Sequence, residues 1–164
     1  GHKIIGLPQG GSVAYNFLPI IKALCVSESI VHRLDSARMK TDSFIKRFDA
    51  SLMSNSKWVK LLKVLTLRDF NISSSKIKLV WDEDIRVLNL NDDLEFGFDY
   101  CQSSMESMVS GYPKGFYDYK EIEWLEIKAP RAALNELIKN IEQVGKYCVE
   151  QSIDSIKIIA YKNT

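Results

Sequence analysis

A chain of 164 residues is long enough to enclose one hydrophobic core without a disulfide or metal staple. Its 46% apolar and 26% charged content is that of an ordinary folded globular chain, far from the disordered and collagen-like extremes. Basic and acidic residues number 22 and 21 and are mixed along the chain, so the net charge of +1 creates no global field that selects nucleic acid, a membrane surface or a polyanionic substrate.

Cys25, Cys101 and Cys148 are widely separated and odd in number, which argues against a disulfide framework and for a reducing compartment, the cytoplasm. Gly1-His2 resembles the remnant of a cleaved affinity tag, which leaves His32 as the histidine to consider. Ile4 to Leu7 reads as a brief strand and Pro8 to Ser12 as a glycine-rich turn, with Ser12 able to cap a helix that Pro19 limits. The apolar stretch Val13 to Val26 is interrupted by Asn16, Pro19 and Lys22 and is too short and broken to span a bilayer.

From Ser29 onward, Ile30, Val31, Leu34 and Ala37 recur at helical spacing. Phe44, Ile45 and Phe48 continue an apolar face after Thr41 and Asp42, so two helices or one bent helix fit this region. Ser54-Asn55-Ser56 breaks the pattern before a helix whose Trp58, Leu61, Leu62 and Leu65 share one face. Ile77 to Trp81, Ile85 to Leu90 and Leu94 to Tyr100 are short apolar or alternating runs separated by acidic turns, as in a β-meander. Gln102 to Lys114 reads as a surface loop. Glu121 to Lys128 supplies a strand, Pro130 suits the first turn of a helix, and Leu134, Leu137, Ile138, Ile141, Val144 and Cys148 form its apolar stripe. Ile156 to Tyr161 completes a closing strand-helix-strand unit. The fold class predicted is α+β, a mainly antiparallel sheet of about five strands packed with N-terminal helices and one C-terminal helix. Residues 1–52 are expected to form a helical extension on a core of residues 53–164.

Chemistry is harder to find. Gly6 to Ser12 could offer amides of Gly10, Gly11 and Ser12 to a phosphate, but neither the Walker Lys-Ser/Thr pair nor the dinucleotide fingerprint is present. Pro8-Gln9-Gly10 resembles the turn of reverse transcriptases and Asn91-Asp92-Asp93 their paired aspartates, yet the aromatic residue before that pair is missing and the chain is too short for palm and fingers. Asp82, Glu83, Asp84, Asp92 and Asp93 read as solvated hairpin turns ahead of a cation site. Glu121 and Glu123 share a strand face by alternation while Glu126 takes the opposite one, and all three read as exposed. Trp124 reads as core. His32 has no second histidine and no Cys-x-x-Cys nearby, so no zinc site is predicted. No catalytic residue, metal site or cofactor is predicted. The cluster Tyr112, Phe116, Tyr117 and Tyr119 is the strongest candidate for binding a partner, because aromatic residues are enriched at recognition surfaces.

Asn55-Ser56-Lys57-Trp58, Ile122-Glu123-Trp124-Leu125-Glu126-Ile127 and Ile158-Ile159-Ala160-Tyr161 resemble a bacterial family of uncharacterised domains over about two thirds of the chain. That resemblance implies a small α+β fold and no established activity. The function expected is a non-enzymatic cytoplasmic protein-interaction protein, immunity-like or carried on a mobile gene cassette. A protein partner is expected, a homo-oligomer is open, and neither nucleic acid nor membrane is expected as a partner. The alternative is a small-ligand or phosphate-binding protein or enzyme that uses the glycine turn or the acidic hairpins.

Overall fold

The computed structural model describes residues 30, 32–90, 102–106 and 108–164. It has the α+β class predicted: a five-stranded antiparallel sheet, with the helices at Asn55–Leu67 and Arg131–Val144 burying apolar residues against one of its faces. Helical residues 32–38 (α1) and α2 (Thr41–Ile45) lead into a two-residue strand β1 (Ala50–Ser51) and then α3 (Asn55–Leu67). Strands β2 (Ser74–Leu79) and β3 (Ile85–Val87) form a hairpin, and β4 (Ser104–Glu106) pairs with β5 (Phe116–Asp118). A 3₁₀ turn, Tyr119–Glu121, precedes β6 (Ile122–Lys128); α4 (Arg131–Val144), β7 (Cys148–Gln151), β8 (Ser155–Ile159) and β9 (Tyr161–Lys162) complete the order. The main sheet has the order β3-β2-β6-β8-β7. Among the described residues no helix is long and apolar enough to cross a membrane.

The two long helices form where periodicity and caps agree. Ser54 accepts a hydrogen bond from the Lys57 amide at 3.2 Å, an N-cap that satisfies one of the first-turn donors of α3. Trp58, Leu61, Leu62 and Leu65 of α3 and Leu134, Leu137 and Ile141 of α4 are buried in one cluster with the inner face of the sheet. On that face Ile77, Leu125, Ile158 and Val149 stand side by side across four strands. The opposite face carries Lys76, Glu126, Lys157 and Glu150 in one row, an alternation of sign in which each directly opposed pair attracts.

Several expectations are corrected. The stripe of α4 stops at Val144, and Cys148, expected to extend it, opens a strand instead. Gly145 marks the break: a Cβ there would lie 3.1 Å from the Tyr147 ring, whose hydroxyl donates to the Lys57 carbonyl at 3.0 Å and ties the two helices together. The final run is divided at Ala160, because the chain leaves β6 and pairs next with β1. Gln102 to Lys114 contains β4, and Met105, Met108 and Val109 are buried, so this segment is partly core. Trp124 is half-buried on the outward face, with the Lys157 ammonium 4.3 Å from its ring, while Trp58 and Trp81 are in the core. The end of the expected extension packs on the expected core: Ala50 pairs with Lys162, Ser51 with Tyr161, and Phe48 stacks on Tyr161 at 5.3 Å. The expected strands Ile4 to Leu7 and Leu94 to Tyr100 lie outside the described residues.

Candidate functional site

Two arginines organise the aromatic segment between Ser110 and Glu121. Arg86 projects from the inner face of β3 into a site where it is only 7% exposed. Its Nε donates to Asp82 Oδ2 at 2.6 Å, its Nη1 to the Tyr117 hydroxyl at 2.8 Å and the Ser110 carbonyl at 3.1 Å, and its Nη2 to the Tyr112 carbonyl at 2.6 Å. The guanidinium also lies 5.0 Å from the Trp81 ring centre, within cation–π range. Gly111 passes this group with φ at +85°, and a Cβ there would sit 3.3 Å from Arg86 Nη1, so both the backbone conformation and the space favour glycine.

Arg38, from α1, closes the other side. Its Nε and Nη2 grip Glu121 at 2.7 and 3.0 Å, and Nη2 also donates to the Phe116 carbonyl. Glu121 receives two further donors, the Trp81 indole N–H at 2.9 Å and the Asp118 amide at 2.7 Å. Tyr117 lies between the arginines, with the Arg38 guanidinium 4.5 Å and the Arg86 guanidinium 5.7 Å from its ring centre. Its hydroxyl donates to the Pro113 carbonyl. Burial raises the Tyr117 pKa above that of an ordinary phenol, opposed by the two positive charges.

The aromatic cluster therefore divides. Tyr117 and Tyr119 are buried at 1% and 0% exposure and hold the segment from inside, which removes them from any presented surface. Tyr112 and Phe116 remain outside at 47% and 46%. The backbone carbonyls of Ser110, Tyr112, Pro113 and Phe116 are all bonded by inward side chains, so the two exposed rings stand on a fastened support. Lys114 lies over the Tyr112 ring at 5.3 Å.

The acids also change character. Asp82, expected in a solvated turn, is 8% exposed, bonds Arg86 and accepts the Asp84 amide at 3.0 Å. Glu121, expected on an exposed strand face, is 2% exposed and precedes the strand. Glu123 is half-buried and 3.6 Å from Lys78. Simple alternation misplaces these glutamates because β6 is bulged: Lys78 pairs with Trp124 but Leu79 with Ile122, leaving Glu123 as the extra residue. With their lone pairs committed to these donors, Asp82 and Glu121 act as anchors. Gly10, Gly11 and Ser12, with Asp92, Asp93, Cys25 and Cys101, lie outside the described residues. His32 is exposed, and Cys148 is a half-buried free thiol. Among the described residues no group of three or more His, Cys, Asp or Glu side chains is placed to hold a metal.

Arg38 and Arg86 were missed by sequence reasoning. Asp82 and Arg86, four apart across a hairpin turn, offered a local signal; Arg38 and Glu121, separated by 83 positions, offered none. Comparison of the chain with family profiles, with curated protein sequences and with solved structures finds no match.

Proposed function

We propose that the protein is a non-enzymatic, cytoplasmic protein-interaction protein that engages its partner through Tyr112 and Phe116. One observation carries this reading: two exposed aromatic rings are mounted on a segment whose carbonyls are fastened by buried Arg86, Tyr117 and Arg38. Aromatic side chains bring large contact area with few rotatable bonds, and a fixed backbone lowers the ordering cost of binding. The buried acids support this reading over one with acid-base chemistry, since their oxygens are occupied by internal donors. An immunity-like role, in which a small protein masks a surface of its target, is the form of interaction proposed.

The test is quantitative capture from bacterial extract by the wild-type chain and by a Tyr112→Ala/Phe116→Ala variant. Central aromatic anchors typically contribute about 2 kcal/mol or more each, so recovery of the specific partner should fall at least about tenfold while the melting temperature holds. Undiminished recovery by the variant would remove this surface from consideration.

A further inference from the structure

The two edges of the main sheet are treated differently. At β3 the edge is closed: Asn89 N–H donates to the Met108 carbonyl at 2.7 Å, Ser110 N–H to the Val87 carbonyl at 3.0 Å, and Val87 N–H to Ser110 Oγ at 2.9 Å. At β7 the phase of the ladder is set by Ser152 N–H donating to the Ser155 carbonyl at 2.8 Å. Pairs then alternate along the register, so Glu150 and Cys148 bond to β8, and the N–H and C=O groups of Val149 and Gln151 point away from the sheet. No described residue bonds them. Directly beside this edge, between β7 and α4, lies a cavity of about 190 Å³ lined by Ile138, Ile141, Glu142, Tyr147, Val149 and Gln151.

We propose that this edge and cavity form a second recognition site, which accepts an extended segment of a partner protein as a sixth strand. Open backbone groups beside a side-chain pocket are the two elements of strand addition: the ladder supplies affinity and the pocket supplies selectivity. Side chains of the added strand opposite Val149 and Gln151 enter on the pocket side, where Ile138, Tyr147 and Val149 meet their β-carbons and Glu142 and Gln151 line the outer rim, a mixed surface that suits a β-branched residue. The residue between them stands opposite Glu150, at the end of the row Lys76, Glu126, Lys157, Glu150. The next charge that continues this alternation is positive. The preferred segment is therefore β-branched, basic, β-branched. This site is independent of Tyr112 and Phe116.

The test uses fluorescence anisotropy with a labelled ten-residue peptide centred on Thr-Val-Lys-Val-Thr, and a control in which glutamate replaces the lysine. Saturable binding, at least about fivefold weaker for the control, is expected. Val149→Pro removes an outward N–H without breaking a ladder bond and should abolish binding. Glu150→Lys reverses the charge of an exposed side chain at the end of the row, opposite Lys157, and should reverse the preference between the peptides while the edge strand stays paired to β8. The Tyr112→Ala/Phe116→Ala variant should bind like wild type. Absence of saturation, equal binding of both peptides, retention of binding by folded Val149→Pro, or self-pairing of the chain into a dimer through β7 would each overturn the proposal.

Discussion

Glu121 gathers donors from three parts of the chain: Arg38 of α1, Trp81 after β2, and the Asp118 amide at the end of β5. An apolar residue in its place would leave a partly buried guanidinium and a buried indole N–H without their acceptor. Breaking a buried pair from one side typically costs about 3–5 kcal/mol, so Glu121→Leu should lower unfolding free energy on that scale in urea titrations. Glu126→Leu, on the outward face and only half-buried, should change it by about 0.5 kcal/mol. Similar small losses in both variants would refute the anchoring role. A second effect is set by tyrosines. Burial raises the pKa of Tyr117, Tyr147 and Tyr161 above the ordinary value of 10.0. Each folded-state pKa exceeds the unfolded one, so the contribution is complete below pH about 10 and is lost as pH rises through the folded values. Stability measured by denaturant titration should decline above pH about 10, with phenolate absorbance of these tyrosines appearing later than that of free tyrosine. A flat profile there would contradict their burial.

At the scale of elements, α3 and α4 were readable because four and three apolar residues at helical spacing met cores that needed them, with Ser54 and Pro130 marking the starts. The β2–β3 hairpin was readable from short apolar runs around an acidic turn. What escaped were features that depend on distant partners. β6 was found, but its bulge at Glu123 comes from pairing with β2, and alternation alone assigns Glu121 and Glu123 to one exposed face. Cys148 fits a helical stripe by count; its strand exists because β8 lies beside it and Gly145 lets the Tyr147 ring approach. The candidate site was half visible. The aromatic cluster stood out in composition, whereas the choice of which rings face outward is made by Arg38 and Arg86, whose partners lie elsewhere in the chain.

For the whole molecule, the segment ending at residue 52 is bound to the core at both ends of its described length. Arg38 supplies the counter-charge of Glu121 and bonds the Phe116 carbonyl, Lys120 reaches Asp42 at 3.1 Å, and β1 pairs with β9. Asp49 accepts the amide and hydroxyl of Thr164, whose hydrogen bonds hold its carboxyl below the usual range. A chain cut to residues 53–164 would keep α3, α4 and the five-stranded sheet but would leave Glu121 without Arg38, Tyr161 without the stacked Phe48, and β9 without a partner. Loss of the Glu121 counter-charge alone typically costs about 3–5 kcal/mol, comparable with the total stability of a small domain. The truncated chain should show a broad or absent thermal transition by circular dichroism and rapid proteolysis near residues 110–121. A sharp transition within a few degrees of the intact chain would show that the extension is only attached, and that Tyr112 and Phe116 are held by Arg86 and Tyr117 without Arg38.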